Sequence, residues 1–294
     1  MKKRLLKSLQ EKALFFLMVL IFSASSNLSA QDAPDAPDAP DAPENVYVEV
    51  ACFKSKTPGA SKMFTEYAKP FHEELIRQGV LVAWSFYKVD FPNGSDCECN
   101  YREIRAFTDI KSMDMLSSDE FNMTVAQKVF PDQNIEELMK MFHESVDFKN
   151  SQIYVLKDEL VPGPSKSHLL VVNYMDVKPG MEDDYVQMEK EVFKPVHEAS
   201  HKAGNLVDWS LWQRMIPYGS DFDHDYLTVD IWGSYENMHN NDMGAAWKEV
   251  HPDMKPGEAF AKMDELRDLK KAEIWINVAR ADVPKTPEAS SSKN

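Results

Sequence analysis

Side chains able to do chemistry recur at every second position along two short segments, residues 101–107 and 226–232. We predict that the following side chains face a common interior: Tyr101, Glu103, Arg105 and Phe107 from the first segment, and Tyr226, Thr228, Asp230 and Trp232 from the second. There Glu103 or Asp230 could act as a general base and Arg105 could stabilise a developing anion, while the tyrosine hydroxyls donate hydrogen bonds. Because a buried charge is costly unless it is paired, an Arg105–carboxylate ion pair without catalytic function is the competing interpretation.

The residues between these positions are mostly apolar, which favours packing beneath helices: Arg102, Ile104 and Ala106, with Leu227, Val229 and Ile231. The preceding segments add a further set that we predict to line the same interior: Ala83, Ser85 and Tyr87, with Asp208, Ser210 and Trp212. Trp84 and Trp209 have the opposite parity in those segments and aliphatic or aromatic neighbours. We therefore expect both indoles in the core under the helices.

Two histidines, His72 and His197, occupy matching positions, and each is followed by a glutamate. Both lie at the edge of a helical apolar stripe, which favours a packing or capping role. Histidine is also the side chain best able to move protons at neutral pH, so both are kept as candidate ligand-binding residues.

Metal ligation has weak support. Cys97-Glu98-Cys99 aligns with Phe222-Asp223-His224, and these residue types can bind metals, but the spacing matches no strong zinc site. We predict no metal, and thiols in this loop could equally oxidise. Cys52 is expected to be a small buried residue. The sequence has no glycine-rich phosphate loop and no nucleophile elbow, and the cofactor remains open.

An internal repeat organises the chain. Residues 69–113 align with residues 194–238 without a gap, and 15 of the 45 pairs are identical. Such self-similarity indicates duplication of a unit of domain size.

Within one unit the apolar periodicity predicts four strands and two helical regions. The first strand covers residues 46–54, a helix covers residues 60–78 and ends at Gly79, and two strands follow at residues 81–89 and 101–107. A helix over residues 135–146 and a strand over residues 152–156 complete the order βαββαβ.

This order, present twice, resembles the dimeric α+β barrel superfamily, whose ferredoxin-like members include antibiotic-biosynthesis-type monooxygenases. In that superfamily two units pack sheet against sheet, so the resemblance implies an α+β fold in which two tandem ferredoxin-like units of one chain form a pseudo-dimeric α+β barrel. The similarity covers residues 46–282 and rests on element order and duplication. Because its members include heme-degrading and quinol-forming monooxygenases and muconolactone isomerases, it implies a small organic ligand and cofactor-independent monooxygenase or isomerase chemistry.

The heme-degrading members use an asparagine, a tryptophan and a histidine. This chain has Asn173, Trp209 and His197, but His197 lies on the first helix, whereas the family places its histidine on the later one. The positions do not correspond, so no heme site is carried over.

The ends of the chain predict an exported protein. Residues 1–30 have the basic, apolar and small-residue regions of a signal peptide, residues 31–45 are an Asp-Ala-Pro linker, and residues 283–294 are a flexible tail. The two units are expected at residues 46–160 and 168–282, joined by a linker at 161–167. We therefore expect a periplasmic or secreted protein without a membrane span.

The net charge limits which classes of partner the protein is expected to bind. With 33 basic and 48 acidic residues the chain carries −15, which disfavours nucleic acid as a partner. The resulting hypothesis is an exported protein that binds a small organic molecule, and the alternative is a non-catalytic structural or partner-binding envelope protein. The sequence does not determine the oligomeric state.

Overall fold

Eight strands close into a barrel in the computed structural model, which describes residues 45–94, 97–163, 168–219 and 221–283. The strands are β1 (Tyr47–Ser55), β2 (Ala83–Phe91), β3 (Tyr101–Phe107), β4 (Val146–Glu159), β5 (Leu169–Val177), β6 (Leu206–Ile216), β7 (Tyr226–Trp232) and β8 (Arg267–Asp282). Their order around the barrel is β1-β3-β2-β8-β5-β7-β6-β4, and all neighbours are antiparallel. Closure gives every strand two partners, so no edge of the sheet is left unpaired.

Each half of the barrel has the predicted order βαββαβ. Strands β1 to β4 form one half and β5 to β8 form the other, and the halves are joined by the pairs β2–β8 and β4–β6. The predicted fold class, two ferredoxin-like units in one α+β barrel, is confirmed.

Helices cover the outside of both halves. They are α1 (Ala60–Lys62), α2 (Lys69–Arg77), α3 (Ser112–Leu116), α4 (Asp119–Val129), α5 (Ile135–Ser145), α6 (Glu182–Met188), α7 (Lys194–Lys202), α8 (Tyr235–Asn240), α9 (Met243–Val250) and α10 (Pro256–Leu266). Gly79 and Gly204 have φ angles of 75° and 79° just after α2 and α7. Glycine adopts this left-handed conformation without the penalty that other residues incur, so it ends both helices.

A π-helical segment interrupts the first helical region of each half. The two segments are Met63–Ala68 and Glu189–Phe193, and each is followed directly by a Lys-Pro pair that begins the next helix. Proline has no amide hydrogen, so Pro70 and Pro195 each remove one helical hydrogen bond and allow the turn before them to widen.

Three apolar clusters form the core. One lies under the helices of each half, and the third fills part of the barrel interior. Trp84 and Trp209 are 0% and 1% exposed in the two helix-side clusters, as the sequence predicts.

A disulfide joins Cys52 on β1 to Cys99 in the connection that precedes β3. Cys52 is fully buried, as expected, but it is covalently bonded and not a lone apolar residue. Cys97 is the remaining free thiol. The alternation of β1 showed that Cys52 was buried, but only the register of β1 with β3 brings it to Cys99.

Several sequence predictions concern other parts of the chain. The predicted signal peptide at residues 1–30, residues 31–44 of the linker, residues 164–167 between the halves and residues 284–294 of the tail lie outside the described residues. Among the helices that the structure describes, none has the length and hydropathy to cross a membrane.

Candidate functional site

A cavity of about 380 Å³ lies inside the barrel. Its walls come from both halves and are mainly apolar: Val46, Val48, Val50, Ile104, Ala106, Leu170, Val172, Leu227, Val229, Ile231 and Trp275. The volume falls in the range of small-molecule sites, roughly 300–1,000 Å³. An apolar interior of this size can hold a small organic molecule out of water.

Four predicted ligand-binding residues line this cavity: Ser85, Tyr87, Ser210 and Trp212. The Trp212 Nε1 atom donates a hydrogen bond to Ser210 Oγ at 2.7 Å. Burial raises the pKa of Tyr87, so its hydroxyl stays protonated at neutral pH. Strands β2 and β6 thus place hydroxyl groups on the wall of an otherwise apolar cavity.

Charged residues lie at one end of the cavity, where Glu159, Asp208 and Arg280 are found. Asp208 Oδ1 accepts hydrogen bonds from the backbone amides of Val161 at 3.1 Å and Trp209 at 2.8 Å. Burial raises the pKa of Asp208, and burial together with the Asp208 charge raises the pKa of Glu159. A ligand with an apolar body and one polar end would match this distribution.

The predicted orientation of β3 and β7, the third strand of each half, is wrong. Ile104 and Ala106 of β3 line the cavity, as do the three aliphatic residues of β7, whereas the residues predicted to do so face the helices: Tyr101, Glu103, Arg105, Phe107, Tyr226, Thr228, Asp230 and Trp232. The more aliphatic face of these strands turns inward, because the polar residues of the other face find partners there. These partners are His72 and His197 on helices and Glu49, Trp84 and Asn173 on neighbouring strands.

Arg102 is the exception on the inward face of β3. Its guanidinium binds Glu273 of β8 with two hydrogen bonds, at 2.9 and 3.2 Å, and both side chains are buried. Tyr174 and Trp275 donate further hydrogen bonds to Glu273, at 3.0 and 2.8 Å. The Arg102 guanidinium is tolerated inside the barrel because the buried Glu273 carboxylate lies there as its partner.

In the first half, His72, Trp84 and Glu103 form a buried cluster beneath α2. The His72 ring stacks on Trp84 at 5.1 Å, and Trp84 Nε1 donates a hydrogen bond to Glu103 at 2.7 Å. Burial and the charge of Arg105 lower the pKa of His72 to about 3, and burial raises the pKa of Glu103. Arg105 pairs with Glu49 of the neighbouring strand β1, so an Arg105–carboxylate ion pair is present, on the helix side of the sheet and not across the barrel interior.

In the second half, His197, Trp209 and Asp230 form the matching cluster. The His197 ring stacks on Trp209 at 5.3 Å, and its Nδ1 atom is 3.7 Å from Asp230. Asn173 donates a hydrogen bond to Asp230 at 3.1 Å and another to Thr228 at 3.2 Å. Burial lowers the pKa of His197 and raises that of Asp230, which favours the neutral form of both groups.

Glu189 joins the second cluster and was missed by the sequence analysis. It begins the second π-helical segment and is 4% exposed. Burial raises its pKa to about 7, against the opposing effects of the Tyr185 hydroxyl and the Arg267 charge. Extending the repeat alignment upstream would have found it, because Glu189 then aligns with Phe64, a residue in the first core.

The predicted catalytic residues therefore do not form one site. Glu103 and Arg105 lie under the helices of the first half, and Asp230 lies under those of the second. Among the other predicted residues, Tyr101 packs near Phe64, Tyr226 packs edge-on to Tyr185 at 5.1 Å, and Trp232 belongs to the second core.

No protein-family model matches the sequence, and the comparison with curated proteins gives no match. The solved structures that it resembles include a candidate monooxygenase from Lactobacillus acidophilus NCFM, with 8% identity, a TM-score of 0.49, and coverage of 81% of this chain and 96% of that one. An anthrone oxidase-like protein has 10% identity, a TM-score of 0.46, and coverage of 84% and 97%. Chlorite dismutase from Candidatus Nitrospira defluvii has 9% identity, a TM-score of 0.44, and coverage of 80% and 91%. The fold assignment rests on the strand order and not on these similarities.

Proposed function

We propose that this protein is an exported binding protein for a small, mainly apolar organic molecule, which it holds inside the barrel. The observation that carries the proposal is the cavity of about 380 Å³ with aliphatic walls from both halves. A ligand that enters it leaves water without displacing any buried ion pair, so apolar burial supplies the main part of the binding free energy.

Selectivity comes from the few polar groups on the wall. Tyr87, Ser85 and Ser210 offer hydroxyls that can orient a carbonyl or hydroxyl group of the ligand. Asp208 and Arg280 at one end suit a polar substituent. We therefore expect ligands with an apolar ring or chain and one polar end, and we expect highly charged compounds to bind poorly.

Two features support export. The first 30 residues have the composition of a signal peptide. The disulfide between Cys52 and Cys99 is of the kind that persists in oxidising compartments. Periplasmic or secreted localisation is part of the proposal.

A second candidate function, isomerase chemistry, is supported by the buried carboxyls of the second half. Glu189 and Asp230 both have raised pKa values, and His197 lies 3.7 Å from Asp230. Glu189, whose pKa is about 7, could accept a proton from a substrate and return it, as an isomerase requires. These groups face the helices and not the cavity, so the substrate would bind on the helix side of the second half. Loss of turnover in Asp230→Asn, with binding in the barrel unchanged, would support it.

The binding proposal is tested by a thermal-shift screen of the purified protein against small aromatics, quinones and other apolar compounds. A ligand at 100 times its Kd stabilises the native state by about 2.7 kcal/mol. For a chain of this size that raises the Tm by roughly 5–10 °C.

The variant Ala106→Trp fills the cavity and should abolish the shift. Ala261→Trp places the same side chain on the exposed face of α10 and should keep it. A shift that survives Ala106→Trp would contradict binding inside the barrel. The absence of any shift, with working positive controls, would favour the structural or partner-binding alternative.

A further inference from the structure

A second pocket, of about 290 Å³, lies at the end of the barrel away from Glu159 and Asp208. It is formed where the connection between β6 and β7 meets the start of β3 and the middle of β4. Its lining includes Arg102, Tyr154, Tyr174, His224 and Lys271. In contrast to the apolar cavity, this pocket is rich in titratable groups.

Three of these groups form a hydrogen-bonded chain. The Tyr154 hydroxyl is 2.7 Å from His224 Nε2, and His224 Nδ1 is 2.7 Å from Asp223 Oδ1. Tyr154 and His224 are 1% and 3% exposed, whereas the Asp223 carboxylate is mainly exposed. A hydroxyl beside an imidazole that a carboxylate orients is the arrangement by which proteins activate a weakly acidic side chain.

The surroundings keep Tyr154 and His224 in their neutral forms. Burial lowers the pKa of His224, and the charges of Arg214 and Lys271 lower it further, while Asp223 acts in the opposite direction. Burial raises the pKa of Tyr154, against the opposing charges of Arg214 and Arg102 and with support from Asp223 and Glu273. The Tyr154 hydroxyl contacts two acceptors for its one proton, the Gln152 side-chain oxygen and the Nε2 lone pair of a neutral His224, and the second can therefore take that proton.

Packing alone does not account for the hydrogen-bonded series Tyr154–His224–Asp223. In the repeat alignment His224 corresponds to Cys99 and, at the spacing that equates Ile153 with Ile274, Tyr154 corresponds to Trp275. The equivalent positions, Cys99 in the first half and Trp275 in the second, thus hold a disulfide and an indole. In addition, Arg214 Nη1 is buried without a hydrogen-bond partner among the described residues, which leaves one donor beside the chain unused.

We propose that this second pocket binds a small compound with an acidic hydroxyl, a phenol or an enol, and that Tyr154 removes its proton. The proton of the compound moves to the Tyr154 oxygen while the Tyr154 proton moves to His224 Nε2. Two O–H bonds break, one O–H bond and one N–H bond form, and the imidazolium is stabilised by Asp223. The step requires no oxidant and no cofactor.

The acidity of the compound follows from the final proton acceptor. That acceptor is an imidazole whose pKa is held below its ordinary value by burial, so it is a weak base and an aliphatic alcohol is far too weak an acid to donate to it. The phenolate or enolate that forms would face Arg102 and Lys271, which also pair with Glu273, in a lining that includes the carboxyls of Glu98 and Asp221. The rings of Tyr174 and Phe222 offer flat contact surfaces. This pocket borders the apolar cavity, since Val50 and Leu227 line both, but the compound proposed for it differs from the ligand proposed for the cavity.

The test uses 4-nitrophenol as a probe, because its phenolate form is yellow. The whole protein is titrated with the probe over a range of pH, and we expect bound probe to ionise at a lower pH than free probe. Tyr154→Phe and His224→Gln should each weaken binding of the phenolate by about 10- to 100-fold, the loss expected for a hydrogen bond to a charged group. His143→Gln, on the exposed face of α5, is the matched control and should bind as the wild type does.

The outcomes separate this proposal from the previous one. His224→Gln keeps a hydrogen-bonding side chain in place, so a folded His224→Gln variant that has lost phenolate binding supports the proton transfer even if Tyr154→Phe is unstable. Binding that Ala106→Trp abolishes and both relay variants retain would place the probe in the apolar cavity and overturn the proposal. A wild-type protein that binds no phenolate at millimolar probe would also overturn it.

Discussion

The substitution Glu189→Gln should remove a pH dependence of stability that a single buried carboxyl creates. The folded-state pKa of Glu189 is about 7, and the value for an unperturbed glutamate is 4.5. The native state therefore holds a proton that the unfolded state releases between about pH 4.5 and pH 7. Within this window unfolding releases a proton, so the free energy of unfolding falls as the pH rises.

The size of the effect follows from the difference between the two pKa values. Each pKa unit corresponds to about 1.4 kcal/mol, so the wild-type protein should lose about 3 kcal/mol of stability through Glu189 between pH 4.5 and pH 7. Glutamine keeps the shape of the protonated side chain and cannot ionise. The variant should therefore match the wild type at the acidic end and exceed its stability by up to about 3 kcal/mol above pH 7.

Urea denaturation followed by tryptophan fluorescence measures this difference at a series of pH values. The buried indoles Trp84, Trp209 and Trp275 report unfolding in both halves. Glu191→Gln, in the same π-helical segment but exposed, is the control and should not reproduce the effect of Glu189→Gln. A difference between Glu189→Gln and the wild type that stays constant from pH 4.5 to pH 8 would refute the assigned burial of this carboxyl.

Two further predictions concern the covalent and ionic links inside the barrel. The double variant Cys52→Ala/Cys99→Ala should lose about 4 kcal/mol in the chain-entropy model, since the bridged residues are 47 positions apart. Reductant should lower the Tm of the wild type and of Cys97→Ala but leave that of the double variant unchanged, and an equal effect on all three would contradict the pairing. Arg102→Met should cost about 3 kcal/mol because it leaves the buried Glu273 carboxylate with Lys271 as its remaining cationic partner. Arg102→Met/Glu273→Met should lose less than the sum of the two single variants, although Tyr174 and Trp275 then lose their acceptor. A double variant that loses the sum of both single losses in urea denaturation would show that the two side chains contribute independently, which would contradict the pair.

The strands and helices could be predicted from the sequence because each one follows a local pattern of residues. The strand over Tyr101–Phe107 agrees with its prediction in both bounds, and the helical region that ends before Gly79 was found from its apolar stripe and its glycine. These signals depend on neighbouring residues alone. The repeat then doubled the evidence for each element and indicated the barrel.

The two faces of β3 show where local patterns failed. Alternation separated Glu103 and Arg105 from Ile104 and Ala106 correctly, but it could not say which set faced the barrel. Both faces of this strand are covered, one by helices and one by the opposite wall, so neither is marked by exposure to water. The choice depends on partners from distant segments, such as His72 on α2 for Glu103.

The contacts that define the candidate sites also join distant segments. Tyr154 and His224 are 70 residues apart in sequence, and Arg102 and Glu273 are 171 residues apart. Neither residue of such a pair carries a local signature of the other.

By itself, the sequence determined the order of the elements, the repetition of the unit and the division of each strand into two faces. These properties arise from side-chain periodicity and turn residues, which act over a few positions. The tertiary structure decided which face became the interior, which carboxyls were buried beside histidines, and that Cys52 met Cys99. Those outcomes depend on strand register and barrel closure, which bring together side chains that the chain order keeps far apart.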